Sequence, residues 1–267
     1  MKNLVFLFFF SFSIYSQSLP PIQSYTPQEY NAANQNWKIS ESPDNEILFA
    51  NSFGLLFYNG ASWNSYDSPN GSIIRSVKNI DDKIYIGSHS DFGYFQRASN
   101  GTFEYTSLVN LLDLNIEEDE EFWNILLLDN WIIFQSISRL IFIDKNNNDV
   151  KYLKFKGIIN NSFSIDKQIY IALDTGLYRL VNGQPERILN STQIPSVIVN
   201  IFNSKKGMLI LTDKNGFYLL NESGLVSKFS SPLDSLKDNL SVFSAIQLSD
   251  FSFAIGSVGQ GLFLLDS

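Results

Sequence analysis

One phrase recurs six times along the chain. The segment Asn45–Tyr58 (NEILFANSFGLLFY) has the same pattern as Asp82–Phe95 (DKIYIGSHSDFGYF). It returns at Asn130–Ile143 (NWIIFQSISRLIFI), Lys167–Tyr178 (KQIYIALDTGLY), Gly207–Tyr218 (GMLILTDKNGFY) and Phe251–Phe263 (FSFAIGSVGQGLF). With Gly54, Gly93, Arg139, Gly176, Gly216 and Gly261 taken as equivalent points, successive units lie 37 to 46 residues apart. A unit of that size cannot bury both of its faces alone. It hides them only by standing beside its neighbours.

Within a unit the apolar residues alternate with a period of two, which marks short strands. In the second unit the pattern predicts strands over Ile73–Ile80, Lys83–Gly87, Gly93–Gln96 and Thr102–Ser107. Four strands per forty-odd residues, repeated, define an all-β chain: a β-propeller of four-stranded blades, six repeats visible and the ring expected to be incomplete. A β-helix needs shorter coils, and leucine-rich repeats a shorter period. The repeated glycine is expected to let strand two turn into strand three with φ > 0. Arg139 breaks that rule, so a looser turn is expected in the third unit. The apolar pairs that follow each glycine should pack between blades. The same is expected of Trp37 and Trp63, with Trp123 and Trp131 in the core.

Aromatic residues, 23 Phe and 12 Tyr among 267 residues, suit pleated, half-buried surfaces. The net charge of −8 gives no electrostatic footprint for phosphate backbones, so no nucleic-acid partner is expected of this segment. The absence of cysteine removes disulfides, thiolate metal sites and thiol nucleophiles.

The N-terminus reads as an export signal. Lys2 is followed by the apolar run Leu4–Ile14, and Ser16 offers a cleavage point. The apolar run is too short to span a bilayer, which takes about 20 residues. Residues 1–16 are therefore expected to be a signal peptide and residues 17–267 a periplasmic propeller with no transmembrane segment, truncated at its C-terminus. Two inserts interrupt the repeat. Asp113–Glu121 carries the run Glu117–Glu121 and is expected to be a solvated loop. Ser231–Asn239 is polar and suits one short helical turn. Six Asn-x-Ser/Thr sequons, at Asn70, Asn100, Asn160, Asn190, Asn221 and Asn239, are attributed to high Asn content.

The first unit, Tyr30–Trp63, resembles the opening of the sensor propellers of Bacteroidetes transcription regulators, and Ile84–Phe95 resembles their next blade. These are two-component-type regulators with regulator-propeller repeats and a triple-tyrosine, immunoglobulin-like domain. A membrane helix follows, then a histidine kinase or a LuxR-type helix-turn-helix. The resemblance is specific over residues 30–95 and a blade pattern beyond. It implies an exported, non-catalytic module that reports a small-molecule or glycan ligand to a transcriptional output. Its partner would be the downstream immunoglobulin-like domain or another protein. The alternative is a free-standing periplasmic or secreted propeller acting as a protein- or glycan-binding scaffold.

Catalytic and metal chemistry find little support in the residues. His89 is the sole histidine. Its neighbours Ser88 and Asp91 are adjacent in sequence, whereas triad members come from distant segments. Asp44, Asp81, Asp174, Asp213 and Asp250 stand at turns, where aspartate is favoured for local hydrogen bonding. No catalytic residue, metal site or cofactor is expected. The loops joining strands two and three should gather on one rim, where Asn51, Phe53, His89, Asp91, Asp174, Asp213, Asn215 and Gln260 are the candidate ligand-binding residues.

Overall fold

The computed structural model describes residues 22–236 and 240–266. The expected leader, its cut near Ser16 and the sequon at Asn239 lie outside the described residues. The chain forms a β-propeller of six antiparallel sheets in sequence order. The first is β1 (Asn36–Glu41), β2 (Ile47–Asn51), β3 (Gly54–Tyr58) and β4 (Trp63–Asp67). The second is β5 (Ser76–Ile80), β6 (Lys83–Gly87), β7 (Phe92–Arg97) and β8 (Phe103–Ser107), within a few residues of the predicted bounds. The third is β9 (Asn124–Leu128), β10 (Trp131–Gln135), β11 (Arg139–Asp144) and β12 (Val150–Lys154). The fourth is β13 (Ile159–Ile165), β14 (Gln168–Leu173), β15 (Gly176–Val181) and β16 (Gln184–Asn190). The fifth is β17 (Ile198–Ser204), β18 (Gly207–Thr212), β19 (Phe217–Leu220) and β20 (Val226–Phe229). The sixth has three strands among the described residues: β21 (Val242–Ser249), β22 (Ser252–Ser257) and β23 (Gly261–Leu265).

The first strand of each sheet lies beside the first strand of the next, so β1, β5, β9, β13, β17 and β21 line a central channel. The apolar core is divided into five clusters, one in each gap between consecutive blades. Leu48, Leu55 and Phe57 meet Val77, Ile84 and Phe95 in the first gap. Phe92 stacks on Phe134 in the second, with ring centroids 4.1 Å apart. Leu126 and Ile133 meet Ile169 and Ile171 in the third. Ile201 and Ile210 meet Ala172 and Leu177 in the fourth, and Phe217 meets Phe253 in the fifth. Each buried Val, Leu, Ile or Phe among them contributes about 1.5–3 kcal/mol of burial free energy.

Polar latches cross the same gaps. Asn124 donates to the Ser162 carbonyl (2.9 Å), Asn161 to the Val199 carbonyl (2.8 Å) and Asn200 to the Ala245 carbonyl (2.7 Å). In β13 and β17 these asparagines follow a β-bulge, which turns an otherwise inward residue toward the next blade.

The repeated glycine has a reason beyond the expected one at three of its positions. Gly54, Gly93 and Gly176 lie in strand three. A Cβ there would sit 2.0–2.1 Å from the carbonyl oxygens of Tyr66, Thr106 and Leu189 on strand four. At Gly93 close backbone approach alone requires the glycine, whereas Gly54 and Gly176 add to it a positive φ, at 159° and 139°. Gly216 and Gly261 likewise adopt positive φ, at 60° and 81°.

The two irregularities of the third unit are partners. Arg139 is buried, and its guanidinium is held by the buried Glu120 carboxylate through Nε (2.8 Å) and Nη2, with the Asn115 carbonyl accepting a third bond. The acidic run is therefore no plain solvated loop. Glu120 fills the space at Arg139, Glu121 pairs with Arg75 at 2.9 Å, and Glu117 pairs with Lys154 at 2.7 Å. Nor is the Arg139 turn loose. β11 begins at Arg139 itself, in unbroken register with β10 and β12.

Among its described residues the second insert forms one 3-10 turn, Pro232–Ser235. Several sequons have a structural use. The side-chain oxygens of Asn70, Asn100 and Asn190 each accept from the backbone N–H and the hydroxyl two residues on, which makes Asx turns. Trp63 lies against Tyr25, Tyr30, Phe49 and Tyr58, under the N-terminal segment and α1 (Pro27–Tyr30), rather than between blades. Trp131 packs in the third gap, as expected. On the sixth blade Phe243, Ile246, Leu248, Leu262 and Leu264 remain exposed.

Two substitutions test this account. Gly93→Ala drives a Cβ into the Thr106 carbonyl and is expected to lower the unfolding free energy by about 1–3 kcal/mol in urea titration. Glu120→Gln strands a buried guanidinium and is expected to cost about 3–5 kcal/mol, while Glu117→Gln, on an exposed pair, leaves the urea midpoint unchanged.

Candidate functional site

The loops from strand two to strand three are tied to the connections between blades, and both gather on one rim. Ser68 donates to the Phe53 carbonyl (3.4 Å) and Phe122 to the Ser88 carbonyl (3.1 Å). Ile159 donates to the Ile137 carbonyl (2.8 Å), and Asp174 donates to the Ile158 carbonyl (3.1 Å). The rim expected from sequence is thus assembled, but its eight candidate residues are not brought to one point.

Asn51 is fully buried. Its amide accepts from Ala33 and Phe53 and donates to the Ala33 carbonyl and to Asn36. Asp91 accepts from Ser107 (2.6 Å) and Tyr105 (3.0 Å). Burial raises its carboxyl pKa, against those hydrogen bonds, and burial also raises the Tyr105 hydroxyl. The expectation of ligand contact does not carry to these two, because their polar atoms are already spent on the fold. Phe53 is 69% exposed on the rim. His89 is partly exposed, with Nε2 3.6 Å from an Asp119 carboxylate oxygen. Asp213 accepts from the Val197 N–H (3.1 Å), and Asn215 donates to the Ser196 hydroxyl (3.0 Å). Gln260 lies on an exposed turn. Asp174 lines a cavity of about 360 Å³ with Asn190, Ser191 and Ser196.

A larger cavity, of about 560 Å³, occupies the mouth of the central channel on that rim, and none of the eight lines it. It is built from the starts of the inner strands. Asn36, Trp37, Lys38 and Ile39 come from the first blade, Asn160 and Asn161 from the fourth, and Phe243 and Ile246 from the sixth. Arg75 and Trp123 stand just ahead of β5 and β9. Each donates its backbone N–H to the last carbonyl of strand two in its own blade, Gly87 and Gln135, at 2.8 Å. They are therefore equivalent positions of successive units.

The Arg75 guanidinium lies between two indoles, 4.1 Å from the Trp37 ring centroid and 4.5 Å from that of Trp123. The indoles meet edge to face at 6.0 Å. Nε and Nη2 of Arg75 both donate to Glu121 Oε1, at 3.1 and 2.9 Å. Trp37 Nε1 donates to the Ser52 hydroxyl at 3.1 Å, which fixes the ring's tilt. Trp37 thus packs against the first-gap cluster, as expected, and also borders the channel, while Trp123, expected in the core, faces the channel. The signal was available in principle: Arg75 and Trp123 each stand 12 residues before the end of strand two, so aligning the units would have superposed them.

Lys38 meets solvent in the channel, but the surrounding protein crowds out bulk water and lowers its ammonium pKa below 10.5, with the Lys78 charge adding to the effect. Burial lowers Lys78 in the same direction. Among the described residues no group of His, Cys, Asp and Glu is placed to hold a metal ion, and no helix is long and apolar enough to cross a membrane.

No protein-family model matches the chain, and no curated protein matches it. Solved structures do. The extracellular domain of the hybrid two component system BT3049 from B. thetaiotaomicron is 17% identical, with a TM-score of 0.68 over 94% of this chain and 35% of that one. The corresponding domain of BT4673 from the same organism is also 17% identical, with a TM-score of 0.66 over 87% and 32%. PorZ, a surface component of the type-IX secretion system of Porphyromonas gingivalis, is 13% identical, with a TM-score of 0.61 over 86% and 38%. At these identities the likeness is one of fold, and this chain spans about a third of each of those proteins.

The depressed Lys38 pKa has a defined sign. Between the folded pKa and 10.5 the unfolded chain binds more protons than the folded one, so stability rises with pH across that window. Lys38→Met removes the crowded charge. It is expected to raise the melting temperature at pH 7, and the wild-type deficit relative to the variant is expected to shrink as pH climbs toward 10.5.

Proposed function

We propose that this chain is the extracytoplasmic sensing propeller of a transmembrane signalling regulator, non-catalytic in itself, and that it takes a polar ligand at the channel mouth. One observation carries the reading: the Trp37–Arg75–Trp123 stack is presented to a 560 Å³ cavity that the first, second, third, fourth and sixth blades build together. A ligand seated there touches several blades at once and favours one packing of them over another, which is the way binding becomes a signal. Indole faces and side-chain amides suit a saccharide, whose rings offer apolar faces edged with hydroxyls. The cavity lining holds no carboxylate, which a paired-carboxylate glycosidase would need. The fold shared with extracellular domains of two component systems supports the sensing role, as does the export signal expected at the N-terminus. A triple-tyrosine domain, a membrane helix and a kinase or LuxR-type output would belong to the rest of such a regulator.

The test is tryptophan fluorescence on the purified chain titrated with a panel of soluble oligosaccharides. A saturable change is expected with at least one of them. It should weaken at least tenfold in Trp37→Ala and in Trp123→Ala, while Trp131→Phe binds as the wild type does. Loss of binding in none of these variants, or equal loss in all three, would place the ligand elsewhere.

A further inference from the structure

The chain carries 27 acidic and 19 basic residues, yet the charges lining the channel mouth are those of Lys38 and Arg75, and no Asp or Glu lines it. The local charge is opposite in sign to that of the whole molecule. Glu121 answers Arg75 from behind the cavity, but through Nε and Nη2 alone. Arg75 Nη1 makes no hydrogen bond among the described residues. Lys38 has neither a hydrogen bond nor an ion pair among them, and the exposed Asn160 amide is equally unspent.

A second cation stands close by. Ser40 on β1 accepts from the Asn79 N–H on β5 at 3.1 Å, which sets the two inner strands side by side and brings Lys38 and Lys78 to neighbouring levels of the channel. Lys78, too, has no ion-pair partner among the described residues. Two ammonium groups in a crowded channel repel one another and lack their usual solvent. Such an arrangement costs stability unless a counter-charge enters. The unspent groups are donors with no acceptor of their own, and the indoles beside them offer a flat apolar surface.

We infer that the channel mouth takes an acidic saccharide, a sugar ring bearing a carboxylate, which stacks against the Trp37 and Trp123 indoles and sets its charge against Lys38, with Arg75 Nη1 and the Asn160 amide as further donors. This rests on the reading of the channel mouth as the ligand site and adds the ligand's charge to it. Lys78 acts through the field at Lys38 and is a positioning residue.

D-Glucuronate and D-glucose share a ring and differ in oxidation at C6, so they separate charge from shape. Isothermal titration of the purified chain with each, at fixed ionic strength, is expected to show glucuronate binding at least tenfold more tightly. Lys38→Met should abolish that preference, and Lys78→Met should narrow it. Trp37→Ala should weaken both sugars. Circular dichroism confirms that each variant is folded. Equal affinities for the two sugars, or a preference that survives in Lys38→Met, overturn the acidic assignment and leave the channel site standing. Binding of neither sugar, or binding of both unaffected by Trp37→Ala, overturns the site and the assignment together.

Discussion

The structure depends on the apolar gap between one sheet and the next. A four-stranded sheet of this composition has two greasy faces and a thin body, so no unit can be stable by itself. Five clusters fill the five gaps, and each takes its residues from both bordering blades. Everything else follows from that arrangement: the convergence of the inner strands, the channel between them and the gathering of loops on one rim. Asn161 and Asn200, each just after a bulge, reach a carbonyl of the neighbouring blade without adding bulk to the apolar layer.

The channel mouth is a by-product of the same geometry put to use. Residues at or just ahead of the start of the first strands border the axis. They face one another across the mouth of the channel. In the first three blades those places hold Trp37, Arg75 and Trp123, large side chains that can span the opening, and Ser52 and Glu121 fix the orientation of Trp37 and Arg75. The two ends of the array differ. The first blade is covered by the aromatic packing of Tyr25 and Tyr30 on Trp63, whereas the sixth presents Phe243, Ile246 and Leu262 to solvent.

The architecture was legible in the sequence because it is repeated six times, and repetition averages out local ambiguity. The strands of the second unit fall within a few residues of their expected bounds for that reason. The site was not legible, because it consists of the places where the units differ. Tryptophan in an all-β chain reads as core, and nothing local to Trp37 or Trp123 says that it borders a channel. Asn51 and Asp91 misled in the opposite direction. Polar residues at turns look available, but both are consumed by the fold. The repeated glycine was recognised, but the carbonyl that forbids a side chain there lies a whole strand away. That is a distance at which sequence spacing says nothing about contact.

Arg139 and Glu120 show what the repeat tolerates and on what terms. Where the other units carry glycine, the third carries the bulkiest cation available, and an inserted loop delivers the carboxylate that neutralises it in a dry pocket. Neither residue is harmless alone. Reverting the arginine leaves an anion without water or counterion, and losing the acid leaves the converse. The two positions answer to each other, so any redesign of this blade must treat insert and strand as a single unit.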